Sequence, residues 1–246
     1  MSTRLWSVAF DANDPGALAR FWAEALGWPV KDKDGYSAVS RGDGFLPRLE
    51  FAPVPEPKTS KNRIHFDLPT AFPEDRDRKV EQHIARGARH VDIGQRKDST
   101  WTVLADPEGN EFCVTQPVPS PGAFSGTGPI YAIAYDATHA ATLGRFWSAA
   151  TAWPILYERE QIVVLRSPNG TGPIITVSGP PERVAPKPVK NRVHLDVAPF
   201  SPDDQNEEVE RLIALGARPI DIGQGDVSWV VLADPEGNEF CVLTPR

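Results

Sequence analysis

The sequence predicts an α+β protein in which one domain is repeated in tandem, each copy carrying two strand-helix-strand-strand-strand modules. Three observations predict it. The stretch Val103–Val114 returns letter for letter as Val231–Val242, twelve residues at a spacing of 128. Further blocks repeat around it: Lys61–Asp67 with Lys190–Asp196, Asp92–Gln95 with Asp221–Gln224, and Arg20-Phe21-Trp22 with Arg145-Phe146-Trp147. Within a copy, the same order of elements occurs twice. A period this long marks a domain, not a solenoid unit of about 20–50 residues. The boundaries read as 1–117 for the first copy, a Pro-, Gly- and Ser-rich linker over 118–128, and 129–246 for the second.

The elements of the first copy follow in order. Trp6–Asp11 alternates in polarity and predicts a strand. Asp14-Pro15 opens a helix, with an acid at the cap and Pro in the first turn. Leu18, Phe21, Trp22, Ala25 and Leu26 form its apolar stripe, and Gly27 ends it. Strands are expected near 28–32, 35–40 and 47–53, parted by Asp34-Gly35 and Asp43-Gly44. The pattern restarts with a strand over 63–68, a helix over 74–86 closed by Gly87, and strands near 89–93, 101–105 and 111–115. Asp106-Pro-Glu-Gly-Asn110 is a turn made of turn formers.

Composition excludes several roles. The net charge is −7, with 33 acidic against 26 basic residues, which argues against nucleic acid as a partner. No apolar run approaches the roughly 18 residues of a membrane span, and the first residues lack an apolar signal core, so a cytoplasmic location without membrane contact is expected. Cys113 and Cys241 hold the same place in the two copies, and a bridge between them is not expected.

The order of elements, with Asp14, Phe21-Trp22 and Leu26-Gly27-Trp28 at the start and Asp106–Asn110 before the last strand, resembles the vicinal oxygen chelate superfamily of glyoxalases, dioxygenases and bleomycin resistance proteins. Lys61–Asp67 with Val103–Val114 is similar to an actinobacterial glyoxalase-like domain subfamily. The resemblance implies that each copy's paired modules curl into a half-open eight-stranded cup, and that a metal would be gripped from the first, fourth, fifth and eighth strands. On that register the four positions are Ser7, Glu50, Arg63 and Cys113 in one copy, and Ala132, Thr176, Arg192 and Cys241 in the other. A guanidinium cannot ligate a cation, so no metal and no other cofactor are expected. Asp11, Glu50, His65 and Glu111 form a fallback metal set.

Strand alternation puts Arg63, His65 and Asp67 on one face, with Glu111 and Cys113 on the expected neighbouring strand. Ion pairs Arg63–Glu111 and Arg192–Glu239 are expected across the strands. His65 and His194 are the candidate acid–base residues if chemistry occurs. His83, His90 and His139 read as surface residues. Six of the seven tryptophans pair between copies. Trp22 and Trp147 belong to the core, while Trp28, Trp101, Trp153 and Trp229 sit at strand ends, where the resemblance implies that flat ligands stack. Glu50, Arg63, His65, Glu111, Cys113, Arg192, His194, Glu239 and Cys241 complete the candidate ligand-binding set. The resulting expectation is metal-independent binding of a hydrophobic or aromatic small molecule, for sequestration or antibiotic resistance, by a monomer or homodimer. The alternative is a lyase, isomerase or dioxygenase working through a divalent metal or a His-centred acid–base site.

Overall fold

The computed structural model describes residues 3–45, 47–96, 98–116, 126–179, 184 and 187–246. Most of the expected linker, 118–125, lies outside the described residues. The first copy contains β1 (Thr3–Ala12), α1 (Pro15–Leu26), β2 (Val30–Lys33), β3 (Tyr36–Val39), β4 (Arg48–Pro53), β5 (Ile64–Pro69), α2 (Asp75–Ala85), β6 (Arg89–His90), β7 (Trp101–Ala105) and β8 (Glu111–Thr115). The second contains β9 (Ala132–Asp136), α3 (Ala140–Thr151), β10 (Ile155–Arg159), β11 (Ile162–Leu165), β12 (Ile174–Ser178), β13 (Val193–Pro199), α4 (Gln205–Ala214), β14 (Arg218–Pro219), β15 (Val230–Ala233) and β16 (Glu239–Val242).

Local chemistry accounts for the boundaries. The Asp14 carboxylate accepts from the Ala17 amide at 2.9 Å, Pro15 needs no partner in the first turn, and Gly27 takes the left-handed conformation that ends α1. Strand β6 is shorter than the expected 89–93. The Asp92 side chain accepts from the Gly94 amide at 2.8 Å and turns the chain out of the sheet.

Four βαβββ modules form two open eight-stranded sheets, as the sequence predicts. What differs from the expectation is which modules share a sheet. Sheet A runs β14-β15-β16-β13-β1-β4-β3-β2, and sheet B runs β10-β11-β12-β9-β5-β8-β7-β6. Each sheet, and so each cup, takes one module from each copy, joined by the antiparallel pairs β1–β13 and β5–β9. A copy remains a packing unit. Trp22 of α1 meets Phe66 of β5 and Phe112 of β8 edge-on, each at 5.3 Å, so the modules of one copy share a core beneath their helices. Apolar burial therefore holds a copy together, and backbone hydrogen bonds tie the two copies into sheets.

The repeated turn sits at this junction. Buried Asp106 accepts from the Glu108 and Asn110 amides and from the Trp22 indole, and burial nonetheless raises its pKa to about 6. Asp234 repeats the arrangement and also takes the Tyr135 hydroxyl at 2.9 Å. Two residues on, Glu108 receives the Asn13 and Asp14 amides, and Glu236 receives those of Thr138 and His139. Each glutamate thus caps the start of a helix in its own copy.

Candidate functional site

On each sheet, one face packs on the helices and the other is the floor of a cup. In sheet A, Leu5, Val8, Phe10, Leu49, Phe51, Val193 and Leu195 face the core. A register break between Leu5 and Ser7 leaves both Trp6 and Ser7 on the cup side, where Trp6 packs in one cluster with Val231, Cys241 and Leu243. Pairing then fixes a row across four strands: Cys241 beside Asp196, Asp196 opposite Ser7, Ser7 beside Arg48. The next row is His194 opposite Ala9, with Glu50 beside Ala9. In sheet B the same rows read Cys113, Asp67, Ala132, Ile174, and then His65, Ala134, Thr176.

Both cups therefore keep His, Asp and Cys, but their other halves differ. In sheet A the His194 Nδ1 lies 2.8 Å from an Asp196 oxygen, and Ser7 Oγ stands between the carboxyl groups of Asp196 at 3.2 Å and Glu50 at 3.4 Å. Burial, then the charge of Asp196, raises the pKa of Glu50 toward the neutral acid, opposed in part by Arg48 and Arg246. Burial works against a charged His194, but the Asp196 carboxylate outweighs it and raises the pKa. In sheet B the His65–Asp67 approach is a longer 3.6 Å, and burial raises the Asp67 pKa. Both thiols are pushed well up, first by burial and then by the aspartate beside them. In each cup one ligand atom from His, Asp and Cys lies within 4.8 Å of the others, as a metal site requires.

The glyoxalase-like domain family model matches residues 7–115 and 132–243. The chain belongs to that family. Its fold is that of the vicinal oxygen chelate superfamily. Glyoxalase I from Zea mays superposes with a TM-score of 0.63 at 13% identity, over 99% of this chain and 92% of that one. A proposed dioxygenase from Bacillus subtilis subsp. subtilis str. 168 gives 0.59 at 14% identity, over 99% and 86%. At these identities the likeness concerns the fold. No curated protein matches the chain in sequence. No helix among the described residues is long and apolar enough to cross a membrane.

Several expected roles within this glyoxalase-like chain need correction. Arg63 and Arg192 do not occupy the fifth-strand position on the cup floor; His and Asp do. The two arginines precede β5 and β13 and reach into the repeated turn of the other copy. Arg192 pairs with Glu108 at 3.0 Å, and Arg63 approaches Glu236 at 3.8 Å. The expected Arg63–Glu111 and Arg192–Glu239 pairs are absent because Glu111 is taken by Lys58 at 2.7 Å and by the Asn62 amide, and Glu239 by Lys187 and the Asn191 amide. These glutamates brace the chain entering the strand and do not line a cup. The fallback set does not converge: Asp11 and Glu50 belong to sheet A, His65 and Glu111 to sheet B. Asp11 instead pairs with Lys190 at 2.7 Å, and Asp136 with Lys61.

The tryptophans divide. Trp28, 7% exposed, and Trp153 lie in the core, so neither is a stacking platform at a rim. Their place just after the helix turns them under it, and Trp28 meets Phe45 edge-on at 5.6 Å. Trp101 and Trp229 are exposed at 43% and 39%. Trp101 lines an open cleft of about 630 Å³ with Val103, Arg76 and Gln95, and Val103 stands opposite Cys113 on β8. His83 is 1% exposed, not a surface residue. It packs against Phe21 and Phe112. Its place on the inner face of α2 was legible from the helical spacing to Val80. Sequence reasoning missed Asp196 as a cup residue in contact with Ser7, and it missed Trp6 with Arg48. The Ser7–Asp196 contact depends on strand pairing between copies, for which the local sequence carries no signal.

Proposed function

We propose that the sheet A cup is the working site of a glyoxalase- or dioxygenase-type enzyme acting on a small molecule. One observation carries this reading. Sheet A sets Ser7, Arg48 and Glu50 against the shared His194–Asp196–Cys241 group, where sheet B has Ala132, Ile174 and Thr176. The donor set fits a divalent ion: an imidazole, a thiol and an aspartate within reach of one another, with Glu50 beside them through Ser7. This mixture suits borderline ions such as zinc or iron(II). Bound there, such an ion would polarise a substrate oxygen as a Lewis acid. Glu50, held toward its neutral form, exchanges a proton with the substrate. His194, whose Nδ1 lies 2.8 Å from an Asp196 oxygen, would be oriented by that carboxylate and offer its other ring nitrogen to the ion.

The test is metal analysis of protein purified without chelators, beside Glu50→Thr, His194→Ala and His65→Ala. One divalent ion per chain is expected in the wild type and in His65→Ala, with loss from the other two. A wild-type protein that stays metal-free after incubation with zinc, iron(II), manganese and nickel salts would sink the metal reading. Equal retention in Glu50→Thr would do the same.

A second reading concerns the sheet B cup. Ala132, Val164 and Ile174 with Tyr131 and Ile162 form an apolar patch there. This supports metal-independent binding of a hydrophobic or aromatic small molecule, as sequestration would require. A hydrophobic dye bound by the wild type should be released in Ile174→Arg, and unchanged dye binding would count against it.

A further inference from the structure

We propose that Arg4, Arg48 and Arg246, gathered around Trp6, form an anion subsite of the sheet A cup that selects a small aromatic carboxylate. The inference rests on the reading of that cup as the working site and names its substrate class. The guanidinium carbons of Arg48, Arg4 and Arg246 lie 4.1, 5.0 and 5.4 Å from the Trp6 ring centre. Arg4 also stands 4.6 Å over Phe200. Cation–π contact accounts for one guanidinium on an indole. It does not account for three like charges brought to the same ring, since they repel one another.

Glu50 lies near enough to Arg48 and Arg246 to offset part of their charge, and Arg4 has no such neighbour among the described residues. Among the described residues, none of the three makes an ion pair with a side-chain carboxylate. Arg4 donates to the main-chain oxygen of Arg246 at 2.8 Å. The Nε atoms of Arg4 and Arg48 are buried without a hydrogen-bond partner. Buried donors of this kind are expensive unless a ligand meets them. A carboxylate accepts two parallel N–H bonds from a guanidinium, and half-buried Trp6 with exposed Phe200 supplies apolar surface beside the guanidiniums for an attached ring. Arg48 is beside Ser7 on the floor, so an anion held there lies next to Glu50 and Asp196. Sheet B lacks the feature: Ile174 stands in the place of Arg48. The subsite therefore belongs to the cup that carries Glu50.

Calorimetric titration of the full chain with 1-naphthoate and with 1-naphthamide tests the proposal. The acid should bind at least about tenfold more tightly than the amide, the ratio that one charge-assisted pair supplies. That preference should shrink as salt rises, and Arg48→Ile should abolish it while melting near the wild type. Equal binding of acid and amide, binding of neither, or a preference kept in Arg48→Ile overturns the subsite. The wild-type ratio and its salt dependence decide the matter even where the variant fails to fold. The metal content of Glu50→Thr is a separate readout. A metal-loaded protein without acid preference refutes the subsite alone. An acid preference in a metal-free protein refutes the metal reading alone.

Discussion

The two cups share one half and differ in the other. The strands from the second and fourth modules bring the same His, Asp and Cys to both floors, while the first and third modules bring Ser7, Arg48 and Glu50 to one and Ala132, Ile174 and Thr176 to the other. The second and fourth modules also carry the twelve-residue repeat, whose turn anchors the helices of both copies. The repeated turn is thus identical in the two halves, while on the floors the difference falls on the strands of the first and third modules. The comparison teaches that each floor is half kept and half diverged, and that the diverged half comes with the first and third modules; core pairs such as Phe10 and Tyr135 diverged as well.

The largest expected effect tests how tightly each cup's modules are tied. Arg192→Ala leaves half-buried Glu108 without its 3.0 Å ion-pair partner, with only the Asn13 and Asp14 amides, and should cost about 3 kcal/mol in urea unfolding. Arg63→Ala, whose contact with Glu236 is 3.8 Å, should cost less. Equal losses would remove this asymmetry. The next effect concerns the helices beneath the sheets. His83, buried among aromatics, has its pKa lowered to about 4 by burial and by Lys79 and Arg86, while Leu212 holds its place in the second copy. The unfolded chain takes up the proton first, near the ordinary 6.5. Stability is therefore lost as pH falls from about 6.5 to about 4, by up to about 3 kcal/mol, and is flat below that. His83→Leu should flatten this part of the pH–stability curve, and an unchanged curve would refute the assignment.

A smaller effect sharpens the difference between the floors. Ser7→Ala gives sheet A the residue of sheet B and removes the bridge between Glu50 and Asp196. Metal affinity should fall about tenfold with the melting temperature little changed, a loss of about 1.4 kcal/mol. The smallest effect is Tyr135→Phe, which copies Phe10 of the first module. Loss of one buried hydrogen bond to Asp234 should cost about 1 kcal/mol in chemical denaturation.

Much of the fold was legible because its signals are local. Asp14-Pro15 and Gly27 bound α1, the alternation of Val103–Val114 marks β7 and β8, and the repeat reports the duplication. The candidate site was legible only in part. His65, His194, Cys113 and Cys241 were placed on cup-facing strands, but the register put Arg63 and Arg192 where His and Asp stand. A shift of two along a strand keeps the same face, so alternation alone could not detect it. Trp28 and Trp153 were misplaced because a residue just after a helix can turn in or out, and packing against residues such as Phe45 decides which.

By itself, the sequence determined the duplication, the four modules, their caps and turns, and the residue types available to each strand, because these depend on neighbours within a few positions of the chain. Tertiary structure alone decided which modules pair. Strands β1, β5, β9 and β13 carry similar alternation, and an unpaired edge accepts any compatible partner. Once β1 joined β13 and β5 joined β9, Ser7 and Glu50 met His194 and Asp196 from the far end of the chain, and one floor became unlike the other.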